Sequence, residues 1–462
     1  MTVSIVLDML DRAYQGPICS AEDWNLKVLP ENVLRKLKEH GLQRSFDPEN
    51  PVNTDDELAD RFFRAGFELA IEMGVLCQDT ERIIKVTEME LKKAIENAPG
   101  EVHFGRGKDA VVLRHRRPED RILPLLGAPT GVVFSEEMFV PFTQAVIQYR
   151  EVDVLEGASL TTVLEYRALA GTPYETMLGW HEAQLIKEAF RKAGRPGMGK
   201  IGILSSPTAY GQLAGFIYGA LDPSKDAAMV LPPGEVMTSY SAFHKIISAL
   251  NCGAKIVMNH ETMIGGYSGS PEGAALAHIT MALLCFAVHQ TDTTGGGSID
   301  VRYLGNCGRE GQWTHSILRQ AASRNTHHVS FDMLHQVAGP GTEMLLYEDA
   351  VSMMQASVSG AAGCFATRSS GVRHAEYLSP LECKFCGEVL KRTAGMTRKE
   401  VNEIVKVLIP KYENMLYDPP KGKSFRECYN LKTLKPEKEC LDLYLRVKKE
   451  LIDMGVPLDE YL

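Results

Sequence analysis

Short apolar segments alternate with helical segments between residues 122 and 369, and this alternation constrains the fold more than any other feature. The stretch 194–207 shows one repeat: Gly194 and Pro196 end a helix, residues 200–204 are mostly apolar, and the next helix begins near Pro207. Glycine favours helix ends, proline cannot continue a helix, and short apolar runs bounded in this way are typical of buried parallel strands. The predicted strands are residues 122–127, 153–159, 200–205, 227–231, 255–259, 298–304, 328–333 and 364–369.

The number of strands predicts the architecture. Strands that alternate with helices form a parallel sheet, and eight such strands close into a (β/α)8 TIM barrel. An open, doubly wound sheet is the alternative. We therefore expect an α/β protein with a barrel at residues 121–375, a mainly helical N-terminal extension at 1–120 and a helical C-terminal extension at 376–462, all in one compact unit.

The segments on either side of the barrel carry helix and hairpin signals. Residues 53–57 supply a capping residue and first-turn acids ahead of an amphipathic helix at 58–73, and Thr87 with Glu90 forms a capping box for a helix that runs to Ala98. Residues 101–107 and 110–117 are predicted to form a hairpin. The predicted C-terminal helices are 382–393, 397–417 and 436–454, which we expect to pack on the barrel or on a neighbouring subunit.

Charge and hydropathy exclude some classes of partner. The chain has 462 residues, and its 50 basic and 59 acidic side chains give a formal charge of −9 without a basic block, so nucleic-acid binding is not expected. The longest apolar stretch, 274–288, is interrupted by His278 and Thr280 and is too short to cross a bilayer. Because the first residues also lack a signal-peptide pattern, we expect a cytoplasmic protein with no membrane partner.

Cysteine spacing argues against a metal centre. The chain has ten cysteines, and most are single and widely separated, as expected of reduced thiols in a reducing compartment. Only Cys383 and Cys386 have the spacing of metal ligands, and there is no second such pair to complete a zinc site. We therefore predict no bound metal.

Candidate reacting groups come from the carboxyl ends of the predicted strands, where barrel enzymes carry them. His260 and Glu261 are candidates for a general acid and an orienting carboxylate, or for residues that hydrogen-bond within their own loop. Glu235 is a third candidate acid or a solvated loop residue. His260, Asp332 and His335 contain metal-ligating groups, but their spacing does not require a metal. The polar residues at these ends are Glu156, Glu235, Asn259, His260, Glu261, Arg302, Tyr303, Asp332, His335 and Arg368.

Glycines also lie near the predicted strand ends. Gly127, Gly131, Gly265 and Gly266 leave room for another backbone or a bulky ligand to come close. This pattern indicates approach by a large cofactor or a docking partner, although glycines in tight turns would look the same.

A family resemblance adds what spacing alone does not provide. The motifs that carry it are GRPGMG at 194–199, PTG at 129–131, GGYSG at 265–269, AGPGTEM at 338–344 and GKSFRECY at 422–429. With these motifs, and over nearly its whole length, the chain resembles the corrinoid-dependent monomethylamine methyltransferases.

The resemblance implies a function as well as the barrel. Members of this family take a methyl group from a methylamine and give it to the Co(I) of a corrinoid carried by a separate protein. The corrinoid would approach the barrel mouth near Gly127, Gly131, Gly265 and Gly266. We therefore expect no tightly bound cofactor, a corrinoid protein as partner, a small N-methylated substrate and a homo-oligomer.

This chain departs from the family where the chemistry is centred. The family places pyrrolysine just after the Gly-Met-Gly turn, and its imine is held to bind the amine, whereas this chain has Ile201 there. Met333 falls where the family has a polar pocket residue, and the loop at 259–265 is one residue shorter. Glu235 and Arg302 match an acid and an arginine of the family. The resemblance thus implies a changed substrate.

Leaving-group chemistry narrows the substrate. A neutral amine is a poor leaving group because it departs as an amide anion, whereas a quaternary ammonium departs as a neutral amine. Tyr303, Phe331 and Tyr210 are candidates to hold such a cation through cation–π attraction, and Glu235 would balance its charge. Should the substrate be a betaine, Arg302 or Arg368 would pair with its carboxylate. Ile201 and Met333 complete the predicted substrate-binding residues.

Three alternatives remain open from the sequence. The same transfer could act on a protonated amine or on an O- or S-methyl compound, with Glu235, His260 or Glu261 as the acid. The chain could also be a non-catalytic barrel that binds a methylated metabolite or a corrinoid protein. A metal-dependent hydrolase using His260 and Asp332 is the last alternative.

Overall fold

The protein was analysed as a computed structural model that describes residues 2–217 and 219–459. Met1 and residues 460–462, at the ends of the two predicted extensions, lie outside the described residues. The longer helices are Thr2–Gln15, Leu29–Glu39, Asp56–Met73, Glu88–Asn97, Glu136–Ile147, Pro173–Lys192, Tyr210–Ile217, Tyr240–Cys252, Pro271–Val288, Arg309–Asn325, Glu343–Val358, Pro380–Arg392, Arg398–Leu408 and Lys438–Asp453. Short helical turns lie at Ala21–Asp23, Trp24–Val28, Gly107–Asp109, Ser369–Val372, Ile409–Lys411, Glu413–Met415 and Phe425–Cys428.

Eight parallel segments form a closed ring. They are β1 (Leu125–Val133), β2 (Val154–Ser159), β3 (residues 200–201), β4 (Ala227–Val230), β5 (Lys255–Ile264), β6 (Thr293–Asp300), β7 (Phe331–Met333) and β8 (Gly363–Phe365). Parallel ladders join β4 to β5 to β6, and β7 to β8 to β1 to β2. Single parallel bridges close the ring at Leu155–Lys200, Ile201–Ala227 and Thr294–Ser330. The predicted (β/α)8 barrel is confirmed.

The bounds of β5 and β6 differ from the sequence prediction. β5 continues to Ile264, so His260 and Glu261 lie within the strand rather than after it. β6 begins at Thr293, not at residue 298, and residues 301–304 form a turn. The prediction was wrong because three consecutive glycines in β6 resemble a loop. They fit a packed strand here, since a Cβ on Gly295 would lie 2.2 Å from Asn259 Oδ1.

The N-terminal signals are confirmed. The side chain of Asp55 accepts a hydrogen bond from the Leu58 N–H and caps helix Asp56–Met73, and Thr87 with Glu90 forms the capping box of helix Glu88–Asn97. Strands Glu101–Phe104 and Val111–Arg114 form the expected hairpin. Phe104 of this hairpin packs against Phe331 with ring centroids 6.3 Å apart, so the hairpin contacts the barrel interior at the amino ends of the strands. Further short strands are Val75–Cys77, Arg82–Ile84, Thr162–Val163, Tyr166–Arg167, Met237–Thr238, Tyr429–Asn430 and Lys435–Pro436.

One C-terminal helix is shorter than predicted, and one core helix is unusually apolar. The predicted helix 397–417 ends at Leu408, because Pro410 removes a backbone donor and interrupts the helix. Helix Pro271–Val288 is long and apolar enough to span a membrane by length and composition, but 89% of it is buried inside the protein. Packing within the core therefore accounts for its apolar character.

Candidate functional site

The barrel has an apolar floor. Ile201, Met229, Phe331, Met333 and Phe365 belong to one buried cluster inside the ring of strands. Phe331 stacks on Phe365 with centroids 4.3 Å apart, and Ile201 has no exposed surface. The sequence-predicted residues Ile201, Phe331 and Met333 are thus brought together, as part of this floor.

The alternation of side chains along β5 decides which polar residues face the interior. Val257 belongs to the interior cluster, whereas Ile256 and Met258 pack outward against the helices. Because successive side chains of a strand point to opposite faces, Glu261 faces the interior and His260 faces the helices. Glu261 follows Val257 by four residues and so lies nearer the carboxyl end of the barrel than the floor.

A hydrogen-bonded chain of three side chains lies above the floor. His335 Nε2 lies 2.5 Å from Glu261 Oε1, and the other ring nitrogen, Nδ1, accepts from Arg368 Nη1. His335 is buried, whereas the Glu261 side chain is 25% exposed and its Oε2 accepts no hydrogen bond from the described residues. Glu261 lies within the carboxyl-terminal half of β5, and His335 and Arg368 follow β7 and β8.

The pattern of donors and acceptors fixes the protonation of these three side chains. A guanidinium only donates, so His335 Nδ1 must accept and Nε2 carries the proton that is donated to Glu261. The imidazole is therefore neutral, and burial lowers the pKa of His335 in agreement. Burial raises the pKa of Glu261, but its pairing with His335, through the charge of that ring when it is protonated and through the hydrogen bond, and the charge of Arg368 hold the pKa below its usual range. Glu261 is consequently an ionised carboxylate.

Glu156 is a second interior acid with the opposite protonation. It lies on β2 and is fully buried, and its Oε2 has no hydrogen-bond partner among the described residues. Burial raises the pKa of Glu156 to about 8, against the opposing effects of the Thr130 hydroxyl and the charges of Lys200 and Arg368. Two interior carboxyl groups thus differ: Glu261 carries a charge at neutral pH, and Glu156 carries a proton.

Other buried polar atoms near these groups also lack partners. Within residues 2–217 and 219–459, Asn259 Oδ1, two residues before Glu261 on the same strand face, and Gln336 Nε2, beside His335, have no hydrogen-bond partner. Unpaired polar atoms are costly in a protein interior, and they are expected where a ligand or water completes the hydrogen bonding. The interior above the floor therefore has the character of a polar binding site.

Glu235, a predicted acid, lies at the rim and fixes a loop. Its carboxylate accepts the backbone N–H groups of Met263 at 2.7 Å and Ser268 at 3.0 Å, and burial raises its pKa. The loop that it holds contains Gly265 and Gly266, and a Cβ on Gly266 would lie 3.1 Å from Glu235 Oε1. Both oxygens of Glu235 are therefore occupied by the loop.

His260 lies outside the barrel wall, away from Glu261. Its ring is 4.1 Å from the ring of His278 on helix Pro271–Val288, and neither of its nitrogens has a partner among the described residues. Burial lowers its pKa to about 3. Its neighbour in the sequence, Glu261, is the residue that reaches the interior.

Arg302 and Tyr303 are held by the protein itself. The Arg302 guanidinium donates to Asp300 Oδ1 at 2.8 Å and also pairs with Glu310, so both of its carboxylate partners come from the rim. Tyr303 is buried, and its hydroxyl accepts the Gly308 N–H at 3.1 Å. These contacts give both residues a structural role in the turn after β6.

Asp332 faces away from the barrel interior. It accepts from His315 Nδ1 at 2.7 Å and lies 3.2 Å from Arg319 Nε, and both partners are on helix Arg309–Asn325. His260, Asp332 and His335 therefore do not converge, and within residues 2–217 and 219–459 no three side chains of the metal-ligating types are placed to hold an ion.

The predicted glycines divide between the floor and the rim. A Cβ on Gly127 would lie 2.5 Å from the Phe365 ring, so this glycine allows the floor to pack. Gly131 and Gly265 have positive φ angles of 48° and 81°, which favour glycine in the turns at the mouth. Tyr210, also considered for a cation site, is 55% exposed at the start of its helix.

Sequence reasoning gave Glu156 and His335 less weight than the structure does. Glu156 was named only as a strand-end residue, and His335 only as a possible metal ligand. Their common signal is an ionisable side chain in an apolar strand or directly after one, where it must be either paired or functional.

Fold and site together define a class of protein: a (β/α)8-barrel enzyme whose ionisable side chains converge at the carboxyl ends of the strands. A family model described as monomethylamine methyltransferase MtmB matches residues 4–456. The chain belongs to this family, and the protein is a methyltransferase.

Individual relatives are similar to this chain over nearly its whole length. The chain is 33% identical over 451 residues to monomethylamine methyltransferase MtmB of Methanosarcina mazei, with 97% of each chain covered. It is 32% identical over 451 residues to MtmB1 of Methanosarcina acetivorans, again with 97% of each covered. The crystal structure of the Methanosarcina barkeri enzyme superimposes with a TM-score of 0.94 at 30% identity, covering 98% of both chains.

Proposed function

We propose that the protein transfers a methyl group from an N-methylated cation, a quaternary amine, to the Co(I) of a corrinoid held by a separate protein, and does so without pyrrolysine. The observation that carries this proposal is the pairing of an apolar floor at Ile201 with an ionised carboxylate, Glu261, above it. Family membership supports the methyl transfer, and the residues of this chain support the choice of substrate.

Ile201 removes one route to amine activation. Pyrrolysine would supply an electrophilic imine at this position, but an isoleucine side chain forms no adduct with an amine. Ile201 is fully buried among Met229, Phe331 and Met333, so it acts by shape alone. A substrate that needs no adduct is therefore required.

A quaternary ammonium meets this requirement. The corrinoid supplies Co(I) as a nucleophile, the N–CH3 bond breaks with its electron pair kept by nitrogen, and a neutral tertiary amine leaves without needing a proton. This chain's part is to bind the cation, to orient one methyl group toward the mouth and to exclude water.

Glu261 is the group best placed to bind the cation. It is ionised and faces the interior, and its Oε1 is held by His335 while its Oε2 has no donor among the described residues. The protonated Glu156 adds no competing negative charge, and the His335 ring separates Glu261 from the guanidinium of Arg368. An ionised carboxylate with a fixed orientation in a partly buried site attracts a cation more strongly than one in water.

The barrel mouth supports docking of a partner protein. Exposed apolar side chains follow several strands, with Tyr267 at 47% exposure and Leu304 at 55% in loops and Tyr210 at 55% at the start of its helix. Exposed apolar surface at a rim is typical of a protein-binding site. We propose this rim, together with the turns at Gly131 and Gly265, as the approach of the corrinoid protein. A cytoplasmic homo-oligomer remains our expectation for the assembly.

A second candidate rests on Glu156. A carboxyl group whose pKa is raised to about 8 is protonated at neutral pH, and it could give that proton to the leaving group of a methylated amine, ether or thioether. This candidate differs from the first in requiring an acid during the transfer.

A substrate panel distinguishes the candidates. Purified protein, a Co(I) corrinoid and N-, O- or S-methyl compounds are mixed, and formation of methyl-Co(III) is followed by its spectrum. We expect transfer from quaternary amines and a large loss in Glu261→Gln, with Glu310→Gln as a control at a rim carboxylate. Transfer only from ethers, thioethers or protonated amines would favour the second candidate. Ligand binding without any transfer would indicate a non-catalytic barrel.

A further inference from the structure

Arg368 is a half-buried arginine at the barrel mouth whose guanidinium pairs directly with no carboxylate of the described residues. Its backbone N–H donates to Gln336 Oε1 at 3.2 Å, and its Nη1 donates to the neutral ring of His335. Among the described residues no carboxylate oxygen lies within 4.0 Å of its side-chain nitrogens. In the described part of the chain, Nε and Nη2 therefore have no acceptor.

The other arginines near the barrel ends show how unusual this is. Arg302 is closed on Asp300 and Glu310 at the rim, and Arg319 lies 3.2 Å from Asp332 behind the wall. A guanidinium presents a planar set of donors that matches a carboxylate, and a partly buried charge is costly unless an opposite charge pairs with it. Glu261 reaches this guanidinium only through the His335 ring, so Nε and Nη2 of Arg368 are suited to a carboxylate from outside the chain.

Arg368 and Glu261 present opposite charges on the same interior face. They are joined through one imidazole, so two hydrogen bonds and a ring separate them by at most about 8 Å. Because His335 is buried and bonded on both sides, this separation is fixed by the protein. A small molecule with an ammonium and a carboxylate one or two carbons apart spans a similar distance when a contact at each end is included.

We propose that the methyl donor is a zwitterion, an N-methylated amino acid whose carboxylate binds Arg368 while its ammonium group lies against Glu261. This inference rests on the proposed function for the choice of an N-methyl substrate. What the inference adds is a carboxylate group on the substrate, which the methyl-transfer chemistry does not require. Arg368 is then the residue that selects zwitterions over simple cations.

Matched pairs of ligands test the carboxylate directly. Each zwitterion is compared with its alcohol counterpart by isothermal titration calorimetry on the full-length protein: trimethylglycine with choline, dimethylglycine with dimethylethanolamine, and N-methylglycine with N-methylethanolamine. We expect at least one zwitterion to bind about 10- to 100-fold more tightly than its alcohol, as a charge-assisted hydrogen-bonded pair provides.

Two variants isolate the guanidinium. Arg368→Gln removes the guanidinium charge and both free donors, so the preference for the zwitterion should fall to within about threefold. Arg373→Gln is the control, because Arg373 is an exposed arginine five residues away that donates to the Tyr303 carbonyl. It should keep the wild-type preference.

The outcomes separate this inference from the proposed function. Arg368-dependent binding of a zwitterion without methyl transfer would refute the proposed function and leave the carboxylate site standing. Methyl transfer from choline with no preference for any zwitterion would support the proposed function and refute the carboxylate site. A preference that survives in Arg368→Gln would overturn the assignment of Arg368, as would equal binding within every pair.

Discussion

Replacing Glu261 by glutamine removes the only charge that we assign to cation binding and keeps the shape of the side chain. The amide oxygen can still accept from His335 Nε2, so the hydrogen bonds that link residue 261 to His335 and Arg368 should remain. The change therefore tests electrostatics with little change in packing.

The size of the effect follows from the exposure of the site. Opposite charges 4 Å apart attract by about 4 kcal/mol at an effective dielectric constant of 20. Glu261 is 25% exposed, so solvent screens part of this attraction, and a net value of about 2 kcal/mol is reasonable. That value corresponds to a loss of about 30-fold in the affinity for a quaternary ammonium ligand.

The assay compares a cation with its neutral isostere. Choline and 3,3-dimethylbutan-1-ol have nearly the same shape, but only choline is charged. We expect Glu261→Gln to lower choline affinity about 30-fold and to change binding of the neutral alcohol by less than about threefold, measured by calorimetry. Equal losses for both ligands would refute the electrostatic role and indicate that the substitution damages the pocket.

Three further predictions concern buried groups. Glu156→Gln should abolish any transfer from protonated amines, ethers or thioethers, as measured by stopped-flow. In the wild type, the rate of such transfer should decline as pH rises through about 8, because Glu156 then loses its proton. Transfer from quaternary amines should show neither effect. Ile201→Ala should lower the free energy of unfolding in urea by about 2–5 kcal/mol and Ile201→Val by about 0.5–1.5 kcal/mol, because Ile201 is fully buried in the floor; equal losses would place Ile201 outside a packed floor. Burial lowers the folded-state pKa of His260 to about 3, below the ordinary 6.5, so its contribution to stability is complete above pH 6.5 and is lost as pH falls toward 3. His289 and His328, whose pKa values burial also lowers to about 3, lose stability over the same range. His260→Leu should therefore reduce the slope in urea titrations by up to about 1.4 kcal/mol per pH unit, whereas replacing the exposed His103 by glutamine should leave the slope unchanged.

The fold was accessible to sequence reasoning because its pattern is local. Strands and helices alternate along the chain, and glycine and proline mark the ends of each unit, as at Gly194 and Pro196. The glycine-rich start of β6 was missed because its stability comes from close packing against Asn259 and His315, which are distant in the sequence. No pattern in the neighbouring sequence predicts these contacts.

The site was only partly accessible for the same reason. Both faces of β5 are buried, with Val257 inward and Ile256 outward, so apolar alternation does not show which of His260 and Glu261 faces the interior. The pairs in the hydrogen-bonded chain are 74 residues apart for Glu261 and His335 and 33 apart for His335 and Arg368. Only the closed barrel brings these three residues together.

The most direct test of the central claim is a single turnover with protein produced in a host that does not insert pyrrolysine. The intact mass would first establish isoleucine at position 201, and the protein would then be mixed with a Co(I) corrinoid and 13C-methyl-labelled quaternary amines. We predict one equivalent of labelled methyl-Co(III) and one of the demethylated tertiary amine. No labelled methyl-Co(III) from any quaternary amine, with a corrinoid of proven activity, would contradict the account.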